Sequence, residues 1–473
     1  MPIGRSCRLC SEANFRVDYA TANRANTGKR PKRRQGRRRL DARLRLSFAT
    51  VNYVYRCTQV TRTVVPPFGK FYLLRTLQLL QSPTHVHRSL RIFFRNESSF
   101  VPKKVLIVAK LSRYHFERLR EPELSETQLK MKLIERGSDY NNMLASHLAT
   151  KDVENQVIHL LQKMNMEYKV VDRTSLDHSL FTWADLVLPI GGDGTFLLAS
   201  NLIFNNKKPI IGINSYPEKS EGYLLLSAKY TKNLPEIFEM LRAGHYRILM
   251  RRRIRITLKG EDIWQAPFHM HEKGRIVGSD RQFYTNEKFE SEHSLPKERR
   301  LPWLALNEVF LGETLSARTS SLLIKFDEEQ EYHKIKGSGL CVSTGTGSTS
   351  WYKSIHSLNH QTVREILNLI DAKRSFTNDE IDIICSMFNS SLRFDAGDSK
   401  LCYSIRDMIM TNALPVPKDV HTRGFCRKAI VKSQCFDAGL VLDGGIAVAF
   451  NFGTIAEIET CPEDSLRNII LLD

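Results

Sequence analysis

The chemistry of this 473-residue chain gathers at Gly191-Gly192-Asp193-Gly194-Thr195. The apolar run Leu186-Val187-Leu188-Pro189-Ile190, of strand length, leads into it, and Phe196-Leu197-Leu198-Ala199-Ser200 carries on in a helical pattern. In an open α/β sheet such a turn lies at the carboxyl edge of a strand, where ligands bind. Bare glycines let phosphate oxygens approach backbone N–H groups, and the following helix points its positive end at them. Asp193 is the odd member, because a carboxylate repels phosphate. It suits two tasks: accepting the proton of an attacking hydroxyl, or holding a cation that phosphate also binds.

Other polar groups recur at strand ends. Asn214 to Tyr223 is a polar loop after the apolar run Pro209-Ile210-Ile211-Gly212-Ile213, so it can wall the same sheet edge. Asn307-Glu308 interrupts an apolar strand expected over residues 304–311. An amide and a carboxylate buried in succession cost roughly 1–3 kcal/mol per unsatisfied group. They are therefore bonded to neighbouring loops or kept for a ligand's ring, amide or hydroxyl groups. Ser343-Thr344-Gly345-Thr346-Gly347-Ser348-Thr349-Ser350-Trp351 follows another strand, and its hydroxyls suit a nucleotide as well as they suit a hairpin turn. Val441-Leu442-Asp443-Gly444-Gly445 by itself is a tight turn. No G-x-x-x-x-G-K-[ST] loop, G-x-S-x-G elbow or H-E-x-x-H helix is present. The first strand runs into Ala109-Lys110-Leu111-Ser112-Arg113 in place of a dinucleotide glycine turn.

The elements that must carry these groups follow from periodicity. Order is expected from Lys103, with a buried strand over 105–109, helices over 125–136 and 151–164, and a strand over 168–171. A short helix near 175–181 precedes the glycine-turn strand, a helix to about 204 follows it, and 209–213 makes another strand. Strands alternating with helices predict a doubly wound parallel sheet over 103–247. After a helix near 234–243, alternating runs at 253–258, 321–326 and 339–343 open a mainly β domain over 248–473. Strands near 429–431, 440–442 and 447–450 close it, and the last residues are expected to pack back on the first domain. A helical insertion is expected at about 361–395, and the charged stretch 272–300 reads as an exposed insertion.

The net charge of +19 is local. Residues 1–100 hold 21 Lys and Arg against Glu12, Asp18, Asp41 and Glu97, whereas 101–473 carry 49 basic and 47 acidic side chains. The folded part therefore has no footprint for nucleic acid. Residues 1–102 read as a disordered basic leader with a short amphipathic helix at 71–80. An organellar transit segment, a salt-sensitive nucleic-acid arm and an artefactual extension all fit this composition, and the first is the expectation. No apolar run approaches the roughly 20 residues of a membrane helix, so no membrane partner is expected. Nine scattered cysteines favour a reducing compartment, and Cys7-x-x-Cys10 lacks the second pair that zinc would need.

Gly191-Gly192-Asp193-Gly194-Thr195, Asn307-Glu308, Thr346-Gly347-Ser348-Thr349 and Asp443-Gly444, in that order, resemble the motifs of the NAD kinases over roughly 103–473. The first motif alone is shared with diacylglycerol, sphingosine and 6-phosphofructo-kinases. The loop from Asn214, the Thr-Gly-Thr-Gly-Ser variant and the basic leader resemble most the mitochondrial branch of animals. The resemblance implies a diacylglycerol/NAD kinase-like α/β domain followed by a β-sandwich domain, with the site between them. It implies phosphoryl transfer from ATP, or polyphosphate, to the 2′-hydroxyl of the adenosine ribose of NAD, giving NADP.

By the same resemblance, Asp193 faces that hydroxyl as general base, and Gly191, Gly192, Gly194 and Thr195 cradle phosphates. Asn214, Asn307, Glu308, Thr346, Gly347, Ser348 and Thr349 hold NAD. A divalent cation, Mg or Mn, travels with the donor and no protein metal site is implied. The chain is expected to form a homodimer in the mitochondrial matrix. Bacterial and cytosolic members carry Asp where Ser338 stands and Pro where Gly345 stands. Two rivals remain: a lipid kinase on the same turn, which predicts a greasy channel, and a nucleotide-sensing or RNA-associated protein using the basic arm.

Overall fold

Lys104–Ala109 (β1) is buried along most of its length, and its alternate side chains enter two different cores. Val105 and Ile107 pack with Val153, Val157 and Leu161 of the helix Tyr140–Lys163 and with Ile237, Phe238 and Leu241 of the helix Leu234–Ala243. Leu106 and Val108 face the other way, onto Phe181 of the helix His178–Trp183 and Phe196 and Ala199 of the helix Asp193–Ser200. A strand covered by helices on both faces needs apolar residues at every position, which is why this one reads as a continuous run. The computed structural model describes residues 98–472 apart from 262, 266, 270–295, 371–373 and 411–419. The expected leader helix at 71–80, the Cys7–Cys10 pair and most of the 272–300 insertion lie outside the described residues.

Glu167–Val171 (β2) and Leu186–Gly191 (β3) flank β1 in parallel. Pro209–Ile210 (β4) and Ile213–Asn214 (β5) pair in parallel with β3, and Tyr246–Arg251 (β6) lies at the far edge. The second half supplies Ile254–Lys259 (β7), Phe268–His269 (β8), Glu298–Arg300 (β9), Glu308–Glu313 (β10), Ser320–Phe326 (β11), His333–Gly337 (β12) and Gly339–Ser343 (β13). Leu401–Arg406 (β14), Arg423–Cys426 (β15), Lys428–Ser433 (β16), Ala438–Leu442 (β17), Ile446–Ala449 (β18), Ile455–Thr460 (β19) and Leu466–Leu471 (β20) complete it. Strand β20 returns to the first sheet, parallel to β4 and antiparallel to β6.

The remaining strands form two antiparallel sheets, in the orders β15-β14-β13-β10-β17-β18-β8 and β12-β11-β16-β19-β7-β9. Their inner faces share one core, to which β7 gives Ile254, Ile256 and Leu258, β10 gives Val309 and Leu311, and β11 gives Leu322 and Ile324. Two sheets joined over a single apolar layer are a β-sandwich. The helices His360–Ile370 and Asn378–Ser391 pack on each other between β13 and β14, through Val363, Ile381 and Cys385.

Several element boundaries differ from the periodicity. The described chain is ordered before Lys103, with Phe100 packed on the first core and its N–H donating to Leu241 O at 3.0 Å. The helix expected from residue 151 starts at Tyr140, capped by Asp139, whose side chain accepts from Asn142 N–H. Residues 298–300 form β9 against β7 and are not part of an exposed insertion. Strand β6 went unread because Tyr246–Arg251 is half polar, and the strand expected from 304 begins only at Glu308.

One buried cation joins the parts. Arg253, fully buried, donates to Asp464 O at 2.6 Å, Ser200 O at 2.9 Å and Ile203 O at 2.5 Å. It thereby satisfies the last carbonyls of the helix that begins at Asp193 and fixes them to the chain entering β20. Burial lowers its pKa to about 10, and it stays charged at neutral pH. Replacing it removes the guanidinium donors to the Asp464 and Ile203 carbonyls and leaves Ser200 O with Ile203 N–H alone, so Arg253→Met should cost about 3 kcal/mol of stability. Denaturant unfolding checks this, and a loss below about 1 kcal/mol would refute the tie.

Candidate active site

The turn after β3 is shaped by what glycine lacks. A Cβ on Gly191 would overlap the Thr195 hydroxyl and lie 3.0 Å from Lys110 Cβ, so no other residue fits without displacing both. Gly192 is the N-cap and Asp193 the first residue of the helix Asp193–Ser200, so the turn's amides lie at a helix start, where the first N–H groups have no intrahelical partner. Two clefts adjoin the turn and share Leu197. One, of about 510 Å³, is lined by Asp193, Leu197, Ser220, Glu221, Tyr223, Asn307, Thr349 and Trp351. The other, of about 390 Å³, is lined by Gly192, Gly194, Thr195, Lys110, Arg173, Asn201, Trp303 and Asp443. The turn thus gives Asp193 to the first cleft and Gly192, Gly194 and Thr195 to the second, while Gly191 is packed against Thr195 and Lys110.

Asp193 is held by the loop after β5. Its carboxylate accepts Leu224 N–H at 2.9 Å and Tyr223 N–H at 3.1 Å. Each oxygen keeps a further lone pair for a hydroxyl. The loop can close this tightly because Gly222 has φ +62°, and a Cβ there would collide with Asn214 Nδ2 at 2.6 Å. Asn214 is buried behind the loop, donating to Ser220 O at 3.0 Å and accepting Tyr216 N–H at 3.1 Å. It shapes the cleft wall and is not among its lining residues.

Beneath the turn, Arg251 donates to Asn468 Oδ1 at 2.7 Å and Thr346 Oγ1 at 3.4 Å. Burial pulls its pKa down to about 10, and the nearby Asp193 carboxylate opposes that pull.

Asn307 is clamped through its backbone. Asp443 accepts Leu306 N–H at 2.8 Å, Asn307 N–H at 2.7 Å and Glu308 N–H at 3.2 Å. From the other side Asn307 O accepts Thr344 N–H at 2.9 Å and the Ser343 hydroxyl at 3.2 Å. A Cβ on Gly347 would overlap that carbonyl. Asp443-Gly444 is a tight turn in which both residues have positive φ, +47° and +64°, as a hairpin of this hand requires. Burial pushes the Asp443 carboxyl up to about 6 against the pull of its three amide donors.

Of the residues expected to hold a ligand, Asn307 and Thr349 line the cleft and the rest stand behind it. Glu308 is buried, with Oε2 unpartnered, Thr346 takes Arg251, and the Ser348 hydroxyl donates to Gly345 O at 2.6 Å. Ser348 also accepts Phe394 N–H at 3.2 Å, which fastens the end of the helical insertion to the turn. A Cβ on Gly345 would run into Asp395 O, so this insertion is what excludes a larger residue there. The loop ending at Tyr223 does wall the cleft, as the sequence suggested, and Trp351, the last residue of the hydroxyl-rich turn, joins it there although sequence reasoning assigned its ring no role of its own. Each is an aromatic directly beyond a small-residue turn, a position from which a flat face reaches a ligand.

Glu308 makes a pH test available. Burial, helped by Asp443, raises its carboxyl from 4.5 to about 8. The folded state then binds a proton more tightly than the unfolded chain, so the contribution is complete below 4.5 and is lost as pH rises through 8. Unfolding free energy should fall with pH across this window by up to about 1.4 kcal/mol per unit from this group. Glu308→Gln should remove that part of the slope, and an unchanged slope in the variant would overturn the assignment.

Comparison with known proteins gives the same family. No family model matches the chain. It is 38% identical over 383 residues to a rat (Rattus norvegicus) protein named NAD kinase 2, mitochondrial, covering 79% of this chain and 89% of the relative. The human protein of that name is 37% identical over 387 residues, covering 80% and 86%, and the one from Xenopus tropicalis 33% over 406, covering 81% and 94%. Identity of this order over about 80% of the chain shows that the chain belongs to the NAD kinase family and is most like its mitochondrial members.

Proposed function

We propose that this NAD kinase phosphorylates the 2′-hydroxyl of the adenosine ribose of NAD, with Asp193 taking the hydroxyl proton. The observation that carries this reading is the division at the turn: the Asp193 carboxylate lines the cleft that holds Asn307, Thr349 and Trp351, while Gly192, Gly194 and Thr195 line the neighbouring cleft. An acceptor hydroxyl in the first cleft and donor phosphates in the second meet at the turn between them. The acceptor oxygen forms its bond to phosphorus as the bridge to the departing diphosphate breaks, and the proton passes to Asp193. Phosphoryl transfer needs positioning and charge neutralisation above all, which clamped backbone and helix-start amides supply.

Tyr223 and Trp351 offer flat faces to a base or nicotinamide ring, and Asn307 offers an amide at the same wall. The polar lining, with Ser220, Glu221 and Asn307, does not suit an acyl chain, so nothing favours a lipid kinase. Both carboxylates at the turn are already accepting backbone N–H groups, Asp193 two and Asp443 three. Such a donor set fits a Mg or Mn ion carried by the donor and completed by water, and not a protein cage. Mitochondrial placement is supported by the similarity to mitochondrial NAD kinases and by the basic composition of residues 1–100. The matrix as compartment, a cleaved leader and a homodimer belong to the same proposal.

Asp193→Asn tests the base. Turnover of NAD to NADP should fall by about 10²–10⁴, while NAD affinity measured by calorimetry stays within a few-fold. A variant that keeps near-normal turnover removes Asp193 from the role.

A further inference from the structure

Three neighbouring parallel strands deliver residues to the second cleft: Lys110 follows β1, Arg173 follows β2, and Gly192 follows β3. Both cations are half-buried, and neither has an ion-pair partner among the described residues. The one carboxylate in the same lining, Asp443, already accepts three backbone N–H groups. The Lys110 side chain lies against the bare backbone of Gly191. Asn201 is only 9% exposed, lines the cleft and leaves its Oδ1 without a partner. Half-buried cations without counter-charges raise the cost of the empty cleft and draw an anion into it.

We propose that Lys110 and Arg173 bind the phosphate chain of the phosphoryl donor. The proposal rests on the reading that NAD occupies the first cleft, and adds the residues that hold its co-substrate. A planar guanidinium can bridge two phosphate oxygens, while the ammonium acts as a point charge. As the bond to the bridging oxygen breaks, the departing diphosphate gains negative charge, which these two cations offset. The unpaired Asn201 oxygen accepts from a hydroxyl or amine, groups that a nucleoside triphosphate has and inorganic polyphosphate lacks.

The test uses the full chain with Lys110→Gln and Arg173→Gln, alongside the charge-keeping Lys110→Arg and Arg173→Lys. NADP formation is followed at varied ATP and then at varied inorganic polyphosphate, with NAD and ATP affinities titrated separately. Each neutral variant should raise the KM for ATP at least tenfold and lower kcat, with NAD affinity within twofold and part of the loss recovered in the charge-keeping variant. If the parent uses polyphosphate, the neutral variants should lose it by a similar factor. An ATP KM and affinity within twofold of the parent in both neutral variants would overturn the proposal, as would equal loss of NAD affinity. If the parent makes no NADP, the reading of the first cleft fails, and the ATP titration still decides the role of the two cations.

Discussion

The buried carboxylate of Asp443 is the interaction on which the site depends. It sits at the tip of the β17–β18 turn and accepts three consecutive backbone N–H groups, from Leu306 to Glu308. Those amides belong to the last residues before β10 and to its first, where the sandwich meets the parallel sheet. A neutral side chain there would leave three donors short of an acceptor inside protein, so the charge is retained despite the burial that raises its pKa. Asn307 thereby lines the same cleft as Asp193 from a backbone bonded on both sides.

Arg253 and Arg251 hold the opposite wall in the same manner. The first bonds the carboxyl end of the helix that Asp193 begins, and the second reaches from β6 to Thr346 and Asn468. The reacting groups are thus carried on backbone, and the backbone is fixed by charged side chains held largely inside the protein. Chemistry that consists of bringing two bound molecules into line gains most from rigid placement of this kind.

The fold was legible wherever one periodicity ran long enough. The unbroken apolar run of β1 and the alternation in β7 and β11 follow from burial on two faces and on one. Strand β6 was not legible, since its pairing partner β20 lies more than two hundred residues away, and the true start of β10 is set by the pairing of Glu308 with Ser343 of β13, which periodicity within the strand does not show. The site was legible in part. Asp193, Asn307 and Thr349 reach the first cleft, and Gly192, Gly194 and Thr195 the second. Asn214, Glu308, Thr346 and Ser348 lie behind the walls, because a motif reports that a polar residue is needed without saying which way it faces.

What the sequence determined by itself was local: a strand ending in glycines, a helix starting at an acid, a basic first hundred residues beside a nearly neutral remainder. These depend on neighbours within a few residues, where steric and periodic rules act. Which groups share a cleft was decided by tertiary structure alone. Lys110 and Arg173, on different strands, meet only because β1 and β2 are adjacent in the sheet. Asp443 reaches Asn307 only because the sandwich folds its hairpin back onto the entry to β10. Pairings across such distances are set by the packing of whole sheets, and no spacing along the chain encodes them.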